Sequence, residues 1–279
     1  MESTVQTTTI NLRPKPTITL RIVKPQDVVD NSWKVIDVAK KHPSTGWEDV
    51  FKNSVYELQD ISDILETDKK VNGRFYPDCK DLFKAFDLTP LTNVKVVIVG
   101  QDPYHGINPD GTPQAQGMCF SVKRGSKIPS SLINIYKELK NTVPDFFPPP
   151  HGDLTGWSRQ GVLLLNSCLT VRPGQPDCHK ELWLGFIKKA INAILEVNPG
   201  CIFVMWGRKA QKIRKMLGER ATVLEAAYPS GYSAYKFYGC DHFNQINVLL
   251  KERGQNPINW NVDSICDYKL LADTYKAMN

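Results

Sequence analysis

The chain has 279 residues, 41% of them apolar, which suits one large domain with a sizeable core and excludes a chain disordered throughout. Its net charge of +6 suits an anionic partner, and its seven cysteines form no C-x-x-C pair, which excludes a zinc ribbon or Fe–S cradle of that pattern. No run approaches the roughly 18 apolar residues of a membrane span and no secretory leader is visible, so the chain reads as soluble and intracellular, in nucleus or cytoplasm and not secreted, with reduced thiols.

Residues 1–28 are rich in Thr and Pro, lack a helical period and predict a flexible tail; Ile18 to Val23 is strand-like but without an obvious partner. Residues 29–262 read as a single domain and 263–279 as a C-terminal extension. Four short apolar runs follow one another: "VKVVIVG" (94–100), "GVLLLNS" (161–167), "CIFVMWG" (201–207) and "ATVLEAAYP" (221–229). Each is partly β-branched and closed by Gly, Ser or Pro, the pattern of strands buried on both faces.

Between these runs lie helical patterns. "PSSLINIYKELKNTV" opens with Pro and Ser, and "HKELWLGFIKKAINAILEVN" carries an apolar series at Leu184, Ile187, Ile191, Ala193 and Ile194. "RKAQKIRKMLG" reads as a short basic helix, and "DHFNQINVLLKERG" ends in a glycine suited to the position after a helix C-cap. Alternating strands and helices predict an α/β fold, a three-layer αβα sandwich around a central four-stranded parallel sheet.

Ligands on such sheets bind outside the carboxyl ends of the strands. Just past those ends stand Gln101, Asp102, Pro103, Tyr104 and His105, then Asn166 and Ser167, then Trp206, Gly207 and Arg208, then Tyr228 to Ser233. No G-x-G-x-x-G follows the first run, and "GINPDGTP" has P-loop glycine spacing without the Lys-Ser/Thr that phosphate and Mg²⁺ binding need. The zinc-deaminase, H-E-x-x-H and G-x-S-x-G patterns are missing too, which leaves the carboxylate of Asp102 as the candidate for chemistry.

"GQDPYHG", with "GMCFSV", "HGDLTGWSRQGVLLLNSCLTVR" and "YPSGYSAYKFYGCDHFNQIN" behind it, resembles the family-1 uracil-DNA glycosylases, from about Trp33 to Trp260. The resemblance implies hydrolysis of the N-glycosidic bond of deoxyuridine in single- and double-stranded DNA by a monomer that uses no metal or cofactor, with the base flipped out of the stack. It implies that Asp102 stabilises the cationic sugar and orients or deprotonates water, although an acid after a strand also fits a helix N-cap. Tyr104 is expected to exclude the thymine methyl, Phe120 to stack on uracil or to serve as a core aromatic, and Asn166 to pair with O4 and N3–H. The Gln101 N–H is expected at the base. His105 fits a water, a phosphate or plain surface, and Ser131, Ser230 and Ser233 match phosphate-binding serines but also suit ordinary turns.

The chain departs from the family in five features. Tyr228 stands where a histidine donor to uracil O2 is usual, and Tyr232 where a leucine wedge is usual, preceded by Gly231 in place of proline, which suggests a mobile loop. Arg208 replaces a serine after "WG", and "SKIPSS" is a reduced form of a proline-rich loop. Residues 106–117 make a longer segment than usual, which fits a DNA contact or, as favoured here, a solvent bulge. These departures motivate an alternative, a catalytically attenuated DNA-binding or processivity module of the same fold. A small-molecule hydrolase on the same sheet leaves the basic rim and serine loops without a purpose.

Overall fold

The computed structural model describes residues 34–41 and 45–263, so the expected tail, the strand-like Ile18 to Val23 and residues 264–279 lie outside the described residues. Asp263, assigned above to the extension, is tied to the domain by Arg124 at 2.5 Å and His151 at 2.8 Å. Each apolar run forms a strand trimmed at its ends: β1 (Val96–Gly100), β2 (Val162–Asn166), β3 (Ile202–Trp206) and β4 (Thr222–Ala226). They pair in parallel in the order β2-β1-β3-β4, with Gly100 opposite Asn166 and Trp206 opposite Ala226.

Every residue of β1, β2 and β3 is buried, as their apolar sequences require. β4 corrects the expectation of burial on both faces. It is an edge strand, half-exposed along its length, and its exposed Glu225 pairs with Arg214 at 3.0 Å. A charge on an edge strand discourages pairing with a second chain.

The sequence patterns single out no element before Val94, yet four helices precede the sheet: α1 (Val35–Lys40), α2 (Glu48–Lys52), α3 (Val55–Asn72) and α4 (Lys84–Leu88). α3 buries only Leu58, Ile61, Ser62 and Leu65, a stripe too narrow to stand out from its polar surroundings. Then come α5 (Ser130–Thr142), α6 (Thr155–Ser158), α7 (Lys180–Val197), α8 (Arg208–Gln211), α9 (Arg214–Leu217) and α10 (His242–Glu252). In α7 the buried stripe is Trp183, Phe186, Ile187, Ala190, Ile191 and Ile194, whereas Leu184, expected inward, is 44% exposed. The basic helix after β3 is split, because three-residue turns from Ile213 to Ala210 and from Met216 to Ile213 interrupt the helical ladder.

α1, α2, α3 and α7 pack together against one face of the sheet, and α5 and α10 lie together on the other, completing the three layers. Edge-to-face aromatics fill both interfaces, such as Phe51 with Phe83 and Phe243 with Trp260, each pair with centroids 4.9 Å apart. α10 ends as its sequence predicts: Gly254 has φ +68°, its N–H donates to Lys251 O, and the Gln255 N–H donates to Leu250 O, a Schellman motif. α5 holds the loop before α10 through the buried Glu138, whose carboxylate accepts the N–H groups of Gly239 at 2.7 Å and Asp241 at 3.0 Å. No helix among the described residues is long and apolar enough to cross a membrane.

Candidate active site

From β1 the chain crosses to β2 on one side and later to β3 on the other, so the sheet's switch point lies at the carboxyl ends of β1 and β3. The last residue of β1 is Gly100, and a Cβ there would meet Asn166 Oδ1 at 2.2 Å and Cys119 Cβ at 2.4 Å. Glycine therefore lets the end of β2 and the 119–120 segment close over the tip of β1. Phe120 follows with φ +60°, a conformation costly for a bulky residue and concentrated at functional sites. Its ring lies 5.5 Å from Trp206 and 6.2 Å from Tyr228, the latter tilted by only 37°.

Tyr104 stands beside this ring. Its hydroxyl donates to Phe120 O at 3.3 Å and lies 2.7 Å from Ser131 Oγ. Burial pushes its phenol well above the usual range, so the ring is a neutral wall at working pH. Asn166 is 5% exposed, and its Oδ1 is buried with no hydrogen-bond partner. An orphaned buried acceptor costs about 1–3 kcal/mol, and a donor brought by a ligand or a water would satisfy it.

Asp102 lies at the mouth of this slot with Oδ2 accepting the Asp177 N–H at 2.7 Å. Burial raises its carboxyl above the ordinary carboxylate value. The Asp177 N–H opposes that rise and the Asp177 charge adds to it, while Lys209 and His105 oppose it more weakly. Tyr228 closes the other side. Gly207, at φ +85°, makes room for it, since a Cβ there would fall 2.8 Å from Tyr228 Cβ. Tyr228 is 36% exposed as a residue, yet burial around its hydroxyl pushes the phenol up to about 12, with Asp102 and Cys119 adding to the effect. The group is a proton donor throughout the neutral range.

The rim carries the remaining expected residues, and two of its serines are engaged within the protein. Ser131 is 3% exposed and faces Tyr104, while the hydroxyl that reaches the surface is that of Ser130, 3.1 Å from Ser230 Oγ. On the first turn of a helix, adjacent side chains diverge by about 100°, so the two neighbouring serines meet different surroundings. Ser233 donates to Tyr228 O and Ser230 O, both at 2.9 Å, and braces the loop from within. Gly231 has φ +59°, a conformation closed to proline, so its presence reflects a specific turn. Tyr232 is fully exposed, and His105 and Arg208 are exposed as well. Asn134 ties α5 to this loop, donating to Pro229 O at 2.8 Å.

The longer segment at 106–117 is an ordered turn. Ile107 bridges Pro113, Asp110 accepts from the Thr112 N–H at 2.9 Å, and Arg74 donates to Gly111 O at 3.0 Å. Sequence reasoning missed Asp177, which accepts from Gln101 Nε2 at 2.9 Å and from Lys209 Nζ besides donating to Asp102. It lies well past the end of β2 and acts partly through its backbone N–H, so the strand-end rule did not single it out.

The arrangement is a flat slot with an aromatic face, an aromatic edge, an amide at its closed end, a phenol donor at one side and a carboxylate at its mouth. It suits a planar, hydrogen-bonding ring attached to a group that gains positive charge. Residues 86–251 match the family model described as the uracil DNA glycosylase superfamily. The chain is 45% identical over 222 residues to a uracil-DNA glycosylase of Vibrio cholerae serotype O1, covering 78% of this chain and 96% of that one. It is 46% identical over 220 residues to a uracil-DNA glycosylase of Escherichia coli, covering 77% and 93%. Its fold is similar to the crystal structure of mimivirus uracil-DNA glycosylase, with TM-score 0.75, 28% identity and coverage of 85% of this chain and 91% of that one.

Proposed function

The chain belongs to the uracil-DNA glycosylase superfamily, and from that premise we infer that it hydrolyses the N-glycosidic bond of deoxyuridine in DNA, releasing uracil and leaving an abasic site for base excision repair. It is a monofunctional DNA N-glycosylase. The observation that carries the assignment of the slot is the buried, donorless Oδ1 of Asn166. Uracil N3–H is the donor it lacks, whereas cytosine presents an acceptor at that position, so the wrong base would leave two buried acceptors facing each other.

The target nucleotide leaves the stack so that its C1′ becomes reachable. As the base departs, the sugar turns cationic and uracil anionic. Asp102 faces the developing cation and orients or deprotonates the attacking water. Phe120 stacks on the ring, the Gln101 N–H reaches the base, and Tyr228 donates to O2. Ser130 and Ser230 offer hydroxyls to phosphates, His105 and Arg208 add polar and charged contacts, and Tyr232 fills the gap left in the stack. The substrate on this reading is uracil-containing DNA, single- or double-stranded, and the enzyme acts as a monomer.

The test is release of free uracil from single- and double-stranded oligonucleotides. No release at enzyme excess would replace this reading with the DNA-binding module. Tyr228→Phe is expected to slow excision roughly 10²-fold, near the lower end for loss of one such donor, and Tyr228→His to raise it above wild type. A phenylalanine variant as fast as wild type would show that the hydroxyl is not the donor. Tyr104→Ala is expected to release thymine from T:A duplexes, because the methyl that the ring excludes then has room. Persistent silence on thymine, with uracil still released, would remove the steric account.

A further inference from the structure

We propose that Asp177 is a positioning residue for excision, held in an ion pair with Lys209 so that its backbone fixes Asp102 and its carboxylate fixes Gln101. The proposal rests on the reading of Asp102 given above. Three loop ends meet at this one side chain. Gln101 and Asp102 follow β1, Asp177 lies in the loop after β2, and Lys209 follows β3. The Asp177 N–H donates to Asp102 Oδ2 at 2.7 Å, Gln101 Nε2 donates to Asp177 Oδ1 at 2.9 Å, and Lys209 Nζ donates to Asp177 Oδ2.

Asp177 holds this pose at φ +66°, in the left-handed region that aspartate tolerates better than most residues. Its backbone N–H thereby turns toward Asp102 while its carboxylate turns toward Gln101 and Lys209. One oxygen of Asp102 is committed to that N–H, which leaves Oδ1 for the reacting atoms. Fixing a single oxygen also fixes the plane of the carboxylate, the kind of preorganisation on which electrostatic catalysis depends.

The pair has a second consequence, in charge. The titratable groups that act on Asp102, or on which it acts, are Asp177, Lys209, His105, Tyr228 and Cys168. Tyr228 and Cys168 are held neutral by burial, which pushes both well above neutrality. His105 is exposed on the rim. Asp177 and Lys209 are thus a matched pair of opposite charges beside the working carboxylate. Without Lys209, Asp177 becomes an uncompensated like charge, and Asp102 holds its proton to higher pH. Without the Asp177 charge, Lys209 acts alone and Asp102 loses its proton at lower pH.

The experiment is single-turnover uracil release across the acid range for wild type, Lys209→Met, Asp177→Asn and the double variant. Thermal melts confirm that each variant is folded. We expect Lys209→Met to move the acid limb upward by about half a pH unit and Asp177→Asn to move it downward by a similar amount. The double variant should return close to wild type, with each plateau rate lowered about three- to tenfold. If Lys209 is only a phosphate contact, its loss raises KM and flattens the salt dependence while the limb stays in place. Limbs that do not move, or that move in the same direction in both single variants, overturn the proposal. A wild-type protein that releases no uracil overturns the functional reading and this proposal with it, so the two failures are distinguishable.

Discussion

Asp102→Asn is expected to slow uracil release on the order of 10³–10⁴-fold under single turnover, the range in which positioned acid–base and electrostatic groups act, while affinity for uracil-containing DNA changes only a few-fold. The substitution keeps the side chain's shape and its hydrogen bond from the Asp177 N–H, since the amide oxygen also accepts. What it removes is the charge that faces the sugar. The pH dependence follows with a definite sign. The ionised form is the working form and burial raises the folded-state pKa, so wild-type activity is present at neutral pH and is lost, on acidification, at a pH above the ordinary carboxylate range. The asparagine variant should lack that limb. A variant that retains a tenth of the wild-type rate, or keeps the same acid limb, would assign the chemistry elsewhere.

Asn166→Ala is expected to lower excision roughly 10³-fold, because both base-pairing groups of the amide are lost where the leaving uracil accumulates charge. It carries a second expectation that most active-site truncations do not. The Oδ1 of Asn166 is buried without a donor in the free protein. Removing it relieves about 1–3 kcal/mol of unmet desolvation, which offsets the loss of packing around Gly100 and Cys119. Urea unfolding should therefore place the alanine variant at or above wild-type stability while its activity collapses. A clear loss of stability would mean that the amide is satisfied within the protein, and that the slot is not built around an absent ligand.

The sheet was legible because β1, β2 and β3 are buried on both faces and must be apolar throughout, which leaves short continuous runs that only a covered parallel strand explains. Asp102, Tyr104 and Asn166 were legible because they stand at or just past the ends of those runs, and Tyr228 because it stands just past β4. Other features depend on geometry that spacing does not carry. Ser130 and Ser131 are adjacent in sequence, and only the helix rotation decides which hydroxyl meets Tyr104 and which meets Ser230. Asp177 acts partly through its backbone N–H, a group every residue but proline possesses. The partial exposure of β4 depends on what covers the sheet's edge, a tertiary property. α1 to α4 pack through stripes too thin or too short to announce themselves.

The hydroxyl contact between Ser130 and Ser230 has a kinetic side. It is an exposed bond between two uncharged rotors, 3.1 Å apart, and its net worth is about 0.5–1.5 kcal/mol. Either serine can thus swing away for a toll of only a few times thermal energy and exchange its partner for a passing backbone oxygen with no movement of the chain. A glycosylase must inspect long stretches of undamaged sequence for each lesion it meets. On the phosphate-contact role proposed above for these serines, a grip of such weak, reversible contacts is expected to let it step along quickly and to reserve prolonged residence for the one nucleotide that enters the slot.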